Sequence, residues 1–448
     1  MSILFIQILA QKKRLSLAIT SLIATGILSG CQNTQLESKQ LISNNLNREK
    51  GSVSISGNTS FSTASISNSL STNQKRKSEL ENIENQSDNQ QNIYNSLQLS
   101  QTSSTYQVID ELKNYKYTVN GKNILSRARL PKTKVTFNKK DLLTVLINTR
   151  KYFQDHSSAD PNVLRKGLLG TRGVTIPDVL RTLDFMIVTL QEDIANNRPS
   201  RLEDPSFINE NFRVIKWSAY NPKSPRRKSL RITKYAVFAY PGSRQKTSIF
   251  NIPLYSLKDD NPDNKFYTKY TKQDVLSGIY EPGGKEFGKV DTLAYLTREG
   301  LEEALMEGTV LVKFPNGNNV FFNVDRSNEI PYVKGLKRTA QRRYWYFREV
   351  NAIKGYGYKI DHKIPVKPGV TFAGDVLNIG LGKVIVMEYN RNGRKYLRMG
   401  VLADTGGAFL PNLYQLDFLA GIYPNKQTFK RDISKLPTYA KAYFLIKK

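Results

Sequence analysis

Few residue types in this chain are able to do chemistry, and their counts exclude several mechanisms. Cys31 is the only cysteine, which excludes disulfides and sites built from several cysteines. The two histidines, His156 and His362, are too few for a three-histidine zinc site, and a Ser-His-Asp triad would have to use one of them. We therefore expect any chemistry to come from carboxylates.

Three aspartates near the C-terminus stand in segments whose pattern suits such chemistry. Asp375 begins a short run that leads into an apolar stretch, and Asp404 ends another apolar stretch just before two glycines, Gly406 and Gly407. Asp417 lies between a leucine and a phenylalanine. Burial beside apolar groups or a second carboxylate raises the pKa of an aspartate, so such a carboxyl can act as a general acid near neutral pH.

The N-terminal third predicts export and anchoring. Lys12, Lys13 and Arg14 precede an apolar run that ends in Leu-Ser-Gly-Cys at Cys31. This is the pattern of a signal peptide over residues 1–30, and its ending resembles a lipobox, in which the cysteine receives a lipid. The alternative is an ordinary signal peptide with a chance cysteine. Residues 31–105 are rich in Ser, Asn, Gln and Thr without periodicity, which predicts a disordered linker.

The rest of the chain is predicted to fold as a β-rich α+β protein with N-terminal helices. Apolar residues at helical spacing predict one helix over 141–153 and another that opens at a Thr175 to Asp178 capping box and ends at Asn196. Beyond Arg226, short apolar runs separated by turn residues predict strands, with an Asn316-Gly317 hairpin turn. The predicted strands cover 235–240, 309–314, 320–324, 344–348, 383–389, 396–402 and 442–446.

The three aspartate segments, in this order, resemble the three-aspartate domain of the membrane-bound lytic murein transglycosylase A family. The second segment is the most similar, with Asp404-Thr405-Gly406-Gly407 after a strand. Upstream stretches from residue 230 onward resemble the family in the same order, including those around Glu307, Asn328 and Tyr346. Glu307 replaces a family glutamine, Gly380 a family proline, and a helical segment expected before Tyr344 is nearly absent.

The resemblance implies a fold and roles for residues. It implies a double-psi β-barrel over 341–448, a second smaller β domain over 256–340 across a groove, and helices with the first barrel strands over 106–255. Asp417 would be the catalytic acid and base, Asp404 would orient or tune it, and Asp375 would support them or simply form a turn. Five residues would bind substrate, namely Gly406, Gly407, Glu307, Asn328 and Tyr346.

The leading hypothesis for function is a peptidoglycan lytic transglycosylase with no metal or organic cofactor. The formal charge of +29 predicts an anionic partner, which could be nucleic acid, acidic lipid or a carboxylate-bearing wall polymer. Export disfavours nucleic acid and favours glycan strands, and we expect a monomer anchored through Cys31, facing the periplasm from the outer membrane. The alternatives are an expansin-like protein that binds the wall without cleaving it, and an envelope scaffold.

Overall fold

The computed structural model describes residues 104–258, 261, 263–333, 335–406 and 411–448. The predicted signal peptide, Cys31 and nearly all of the predicted linker lie outside these residues, so their predictions remain open. Within the described part of the chain, no helix combines the length and the apolar character needed to cross a membrane.

Sixteen strands and eight α-helices make up the described part of the chain. The strands are β1 Thr105–Ile109, β2 Tyr115–Asn120, β3 Leu125–Ala128, β4 Val135–Thr136, β5 Phe212–Trp217, β6 Leu230–Pro241, β7 Ile252–Leu257, β8 Val290–Leu296, β9 Thr309–Lys313, β10 Asn319–Ser327, β11 Trp345–Val350, β12 Thr371–Ala373, β13 Val384–Arg391, β14 Arg394–Asp404, β15 Gln415–Tyr423 and β16 Tyr439–Lys447. The α-helices are α1 Gly121–Ile124, α2 Lys139–His156, α3 Ile176–Ala195, α4 Pro205–Asn211, α5 Lys272–Leu276, α6 Arg298–Glu307, α7 Val376–Ile379 and α8 Lys426–Ile433. Short 3-10 helices cover Pro161–Leu164, Gly167–Arg172, Arg201–Glu203, Phe266–Lys269, Arg338–Ala340 and Ile360–His362.

The two long helices confirm the helical predictions. The side chain of Asn138 accepts a hydrogen bond from the Asp141 N–H at the start of α2. At the start of α3, Thr175 and Asp178 form the predicted capping box, and the helix ends before Asn196. The two helices pack against each other, and α3 also packs on β16. The helix pair therefore packs against the sheet at β16, its C-terminal strand.

Six strands close into a barrel, which confirms the barrel expected from the family resemblance. Their order is β6, β15, β12, β14, β13 and β16, and pairing between β16 and β6 completes the ring. The pairs β6 with β15 and β12 with β14 are parallel, and the others are antiparallel. The barrel is filled by fully buried side chains from these strands, including Phe372, Leu402, Leu416 and Phe418.

The sheet continues beyond the barrel in both directions. β5 and β3 extend it from β16, and β9, β10 and β11 extend it from β6. The Asn316-Gly317 turn joins β9 to β10 as predicted, with a positive φ at Gly317. Buried residues form two clusters, a larger one around the barrel and the long helices and a smaller one around α6 and β7 to β11. A separate second domain over 256–340 remains a prediction.

Candidate active site

Strand pairing brings Asp404 and Asp417 to the same level of the sheet. Ala373 of β12 pairs with Asp404 on one side and with Asp417 on the other. The pair between Ala373 and Asp404 follows a register shift in the ladder of β12 with β14, and two strand spacings of about 4.8 Å put the two aspartate Cα atoms about 10 Å apart. Asp417 points away from its fully buried neighbours Leu416 and Phe418, so it lies on the outer face of the barrel. Asp404 lies on the same face, because it accepts a hydrogen bond from Tyr235, which shares a face of β6 with Thr233, the partner of Asp417.

Asp417 is a half-buried carboxyl with an unsatisfied oxygen. Its Oδ1 is buried and has no hydrogen-bond partner among the described residues. Burial raises the pKa of Asp417 to about 7, and the negative charge of Asp404 adds to this rise, although the Thr233 hydroxyl and the Lys234 ammonium oppose it. A carboxyl with this pKa is populated in both protonation states near neutral pH, so it can donate a proton and later accept one.

Asp404 is held in one orientation by hydrogen bonds to both of its oxygens. The Tyr235 hydroxyl donates to Oδ2 at 2.5 Å, and the Thr405 N–H donates to Oδ1 at 2.7 Å. Burial raises the pKa of Asp404 to about 6, while the Tyr235 hydroxyl acts in the opposite direction. At neutral pH the carboxyl is therefore mostly a fixed negative charge beside Asp417.

Lys363 is a partly buried lysine that bonds to strand β10, outside the barrel, and interacts electrostatically with Asp404. Its ammonium donates to Oδ1 of Asn323 at 2.8 Å and to the Val324 carbonyl at 3.2 Å. Burial lowers the pKa of Lys363, whereas the charges of Asp404 and Asp325 oppose that fall. Lys363, Asn323 and Tyr235 are not among the site residues predicted from the sequence.

Asp375 lies in a separate, structural setting. It is buried and caps α7, with Oδ1 accepting from the Asn378 N–H at 3.0 Å. Its Oδ2 accepts from Nδ2 of Asn378 at 2.7 Å and from the N–H of Asn412 at 2.8 Å. These bonds fix the chain just before β15, so Asp375 supports the strand that carries Asp417. A catalytic role for Asp375 remains a prediction.

Two of the predicted substrate-binding residues are engaged inside the smaller buried cluster. Asn328 is buried, and its amide donates to the carbonyls of Tyr270 and Arg342 at 2.8 and 3.1 Å. Tyr346 is fully buried, and its hydroxyl is 2.7 Å from that of Tyr280. These hydrogen bonds hold the smaller buried cluster together, and a substrate-binding role for both residues remains a prediction.

Two other predicted substrate-binding residues, Gly406 and Glu307, lie at the ends of regular elements. Gly406 follows Asp404 and Thr405 just after β14, whereas Gly407 lies outside the described residues. Glu307 ends α6, and its Oε2 is buried without a hydrogen-bond partner among the described residues. Burial raises the pKa of Glu307 to about 8, although the charge of Lys426 opposes the rise. Glu307 and Gly406 thus remain predicted contacts for a substrate.

Comparisons with known proteins bear on the fold. No protein-family model matches the sequence, and neither does any curated protein sequence. Among solved structures, a membrane-bound lytic murein transglycosylase from Agrobacterium tumefaciens matches with a TM-score of 0.51 and 14% identity, covering 72% of this chain and 98% of that one.

Two further structures match at lower scores. MltA from Escherichia coli with bound chitohexaose has a TM-score of 0.48 and 14% identity, covering 72% of this chain and 94% of that one. MltA from Neisseria gonorrhoeae has a TM-score of 0.46 and 15% identity, covering 72% of this chain and 97% of that one. On the strength of the Agrobacterium match and the closed six-stranded barrel, the chain has an MltA-like fold, that of the membrane-bound lytic murein transglycosylases.

Proposed function

We propose that this protein is a peptidoglycan lytic transglycosylase with Asp417 as its acid and base. The observation that carries the proposal is the half-buried Asp417 carboxyl, with a pKa of about 7 and an unsatisfied oxygen, beside the fixed charge of Asp404. A single carboxyl that serves as acid and then as base needs a pKa near the working pH. The MltA-like fold supports the same reaction class, and the Agrobacterium protein is described as a lytic murein transglycosylase.

The proposed reaction uses Asp417 twice. Protonated Asp417 donates its proton to the oxygen of the glycosidic bond, and the bond breaks at the muramic acid carbon. The Asp417 carboxylate then takes the proton from the 6-hydroxyl of the same sugar, and that oxygen bonds to the carbon to close a 1,6-anhydro ring. Asp404 stabilises positive charge that develops on the sugar and favours the protonated form of Asp417. Water is not a reactant, unlike in glycoside hydrolysis.

The proposed substrate and location follow from charge and from the N-terminus. Peptidoglycan strands carry carboxylates, which suit a chain with a formal charge of +29. The E. coli structure contains chitohexaose, a neutral relative of such strands, bound to that protein. We propose that a lipid on Cys31 anchors this protein to a membrane of the cell envelope, facing the wall from the periplasm.

Product analysis of digested wall tests the proposal. Purified sacculi are incubated with the full-length protein, and mass spectrometry measures 1,6-anhydromuramyl products, while sedimentation measures binding. Asp417→Asn should reduce product release by ~10²–10⁴-fold, the usual contribution of general acid and base catalysis, with sedimentation unchanged. Asp291→Asn, at an exposed aspartate outside the site, is the matched control and should release products like the wild type. Sedimentation of wild type without any anhydro product would instead favour the expansin-like alternative.

A further inference from the structure

A cavity with a basic and aromatic lining opens beside the start of β6. It has a volume of about 290 Å³, and its lining includes Arg227, Arg231, Tyr414 and Tyr439. The loop before β6 forms one wall, the turn before β15 a second, and the start of β16 a third. These three walls are joined by backbone contacts, since the Arg231 N–H donates to the Tyr414 carbonyl at 2.8 Å and Arg231 pairs with Tyr439. The cavity is therefore built where the loop before β6 meets the barrel strands.

The two arginines of this cavity carry charge that none of the described carboxylates pairs with. None of the lining residues is Asp or Glu. Among the residues that the structure describes, neither Arg227 nor Arg231 forms an ion pair. The Arg227 guanidinium lies 4.1 Å from the centre of the Tyr439 ring, which holds the side chain over an aromatic face. Two guanidinium groups without a carboxylate, beside tyrosine rings, form a site for an anion with some flat apolar surface.

Arg231 of the cavity lies on the same face of the sheet as the candidate active site. Arg231 and Thr233 lie two residues apart on β6, so their side chains share a face about 7 Å apart along the strand. Arg231 pairs with Gln415 of β15, and Thr233 pairs with Asp417 two residues further on. The Gln415 amide also donates to the Thr233 hydroxyl at 3.0 Å, which bridges the two positions. A linear ligand that lies on Asp417 and follows the strands would pass over Arg231.

We propose that this cavity, the Arg231 cavity, binds a carboxylate carried by the saccharide unit next to the bond at Asp417; the choice of ligand rests on the proposed function. Guanidinium groups bind carboxylates through two parallel N–H donors, and the tyrosine rings can lie against a sugar face. The carboxylate could belong to the lactyl group of muramic acid or to an attached peptide. Both sources share the same chemistry, and the ligands of the test separate them.

Calorimetric titration of the full-length protein carrying Asp417→Asn, which prevents cleavage, measures the dissociation constants of three oligosaccharides of equal length. A chitin oligomer has no carboxylate, a peptide-free wall glycan has lactyl carboxylates only, and an intact wall glycan has peptides as well. Arg231→Gln and Arg227→Gln should each weaken binding of the carboxylate-bearing glycans about tenfold and leave the chitin oligomer unchanged. If the lactyl carboxylate is the ligand, both substitutions weaken binding of the peptide-free glycan by the full factor. If the peptide carboxylate is the ligand, they weaken binding of the intact glycan only.

Arg226→Gln is the matched control, because Arg226 is exposed on the same loop and does not line the cavity. It should leave all three dissociation constants unchanged. Arg227 lies in the loop and outside the barrel strands, so Arg227→Gln tests the cavity even if Arg231→Gln fails to fold. Equal weakening for the chitin oligomer, no weakening for any ligand, or the absence of binding would each overturn the inference. If the wild type releases anhydro products but binding shows any of these three results, the proposed function holds and the cavity inference fails. If binding depends on the carboxylate but no products form, the cavity inference holds and the proposed function fails.

Discussion

Removal of the Asp404 charge should shift the pH dependence of the proposed reaction by a calculable amount. With the two Cα atoms about 10 Å apart and an effective dielectric constant of about 20, unit charges interact by about 1.7 kcal/mol. This corresponds to roughly one pKa unit. The Asp404 charge raises the pKa of Asp417, so Asp404→Asn should lower that pKa by about one unit from about 7.

The sign of the shift follows from the role of Asp417 as a proton donor. Activity requires the protonated carboxyl, so kcat/KM should fall as pH rises above the pKa of Asp417. Asp404→Asn should therefore move this alkaline limb about one unit towards acid pH. The assay is the initial rate of anhydro product release from sacculi between pH 5 and 9 at constant ionic strength, set to about 0.1 M.

Lys234→Gln is a control of opposite sign. The Lys234 ammonium lowers the pKa of Asp417, so its removal should move the alkaline limb towards higher pH. An alkaline limb that stays in place in Asp404→Asn, or that moves towards higher pH, would refute the reasoning. It would mean that a group other than Asp417 controls the limb or that Asp404 does not act through its charge.

Two further predictions concern stability and anchoring. Lys383 is fully buried, its ammonium has no hydrogen-bond partner among the described residues, and burial lowers its pKa to about 7. Between about pH 7 and about pH 10 the unfolded chain therefore binds more protons than the folded one, so the free energy of unfolding should rise with pH across this range. Lys383→Met should remove this slope and raise the free energy of unfolding at pH 7 by roughly 4 kcal/mol, as measured by urea denaturation. Cys31→Ser should abolish lipid attachment, measured by labelling with radioactive palmitate, and continued labelling would refute the anchor.

Local patterns in the sequence predicted the elements that have a strong local signal. The capping box at Thr175, the apolar stripe of α3 and the Asn316-Gly317 turn act over a few residues, and all three are present. The short strand β12 was missed because its three residues are too few to show alternation. The strands β1 to β5 were missed because the segment from 106 to 217 was predicted to be partly helical, and these short strands lie between its helices and at its ends.

The candidate site was only partly predictable, because strand pairing assembles it from distant segments. Asp404 and Asp417 were named from the sequence, but their alignment across Ala373 depends on the parallel pairing of β12 with β14 and the antiparallel pairing of β12 with β15, which no local pattern reveals. Lys363 and Tyr235 reach Asp404 from other parts of the chain, and neither stands in a motif. Conversely, strand alternation cannot tell which face of β11 meets the protein interior, and Tyr346 lies on the buried face.

The order of strands in the barrel has a consequence for folding. β15, which carries Asp417, inserts between β6 and β12, and its contacts with β6 join residues 182 and 183 positions apart. β16, which follows every other barrel strand in the chain, then closes the ring against β6. Contacts between such distant segments form slowly, because closing long loops costs conformational entropy before any contact is gained. The raised pKa of Asp417 depends on burial by these strands. In a partly folded chain Asp417 is therefore an ordinary exposed aspartate, and its carboxyl can act as an acid near neutral pH only after the barrel has closed.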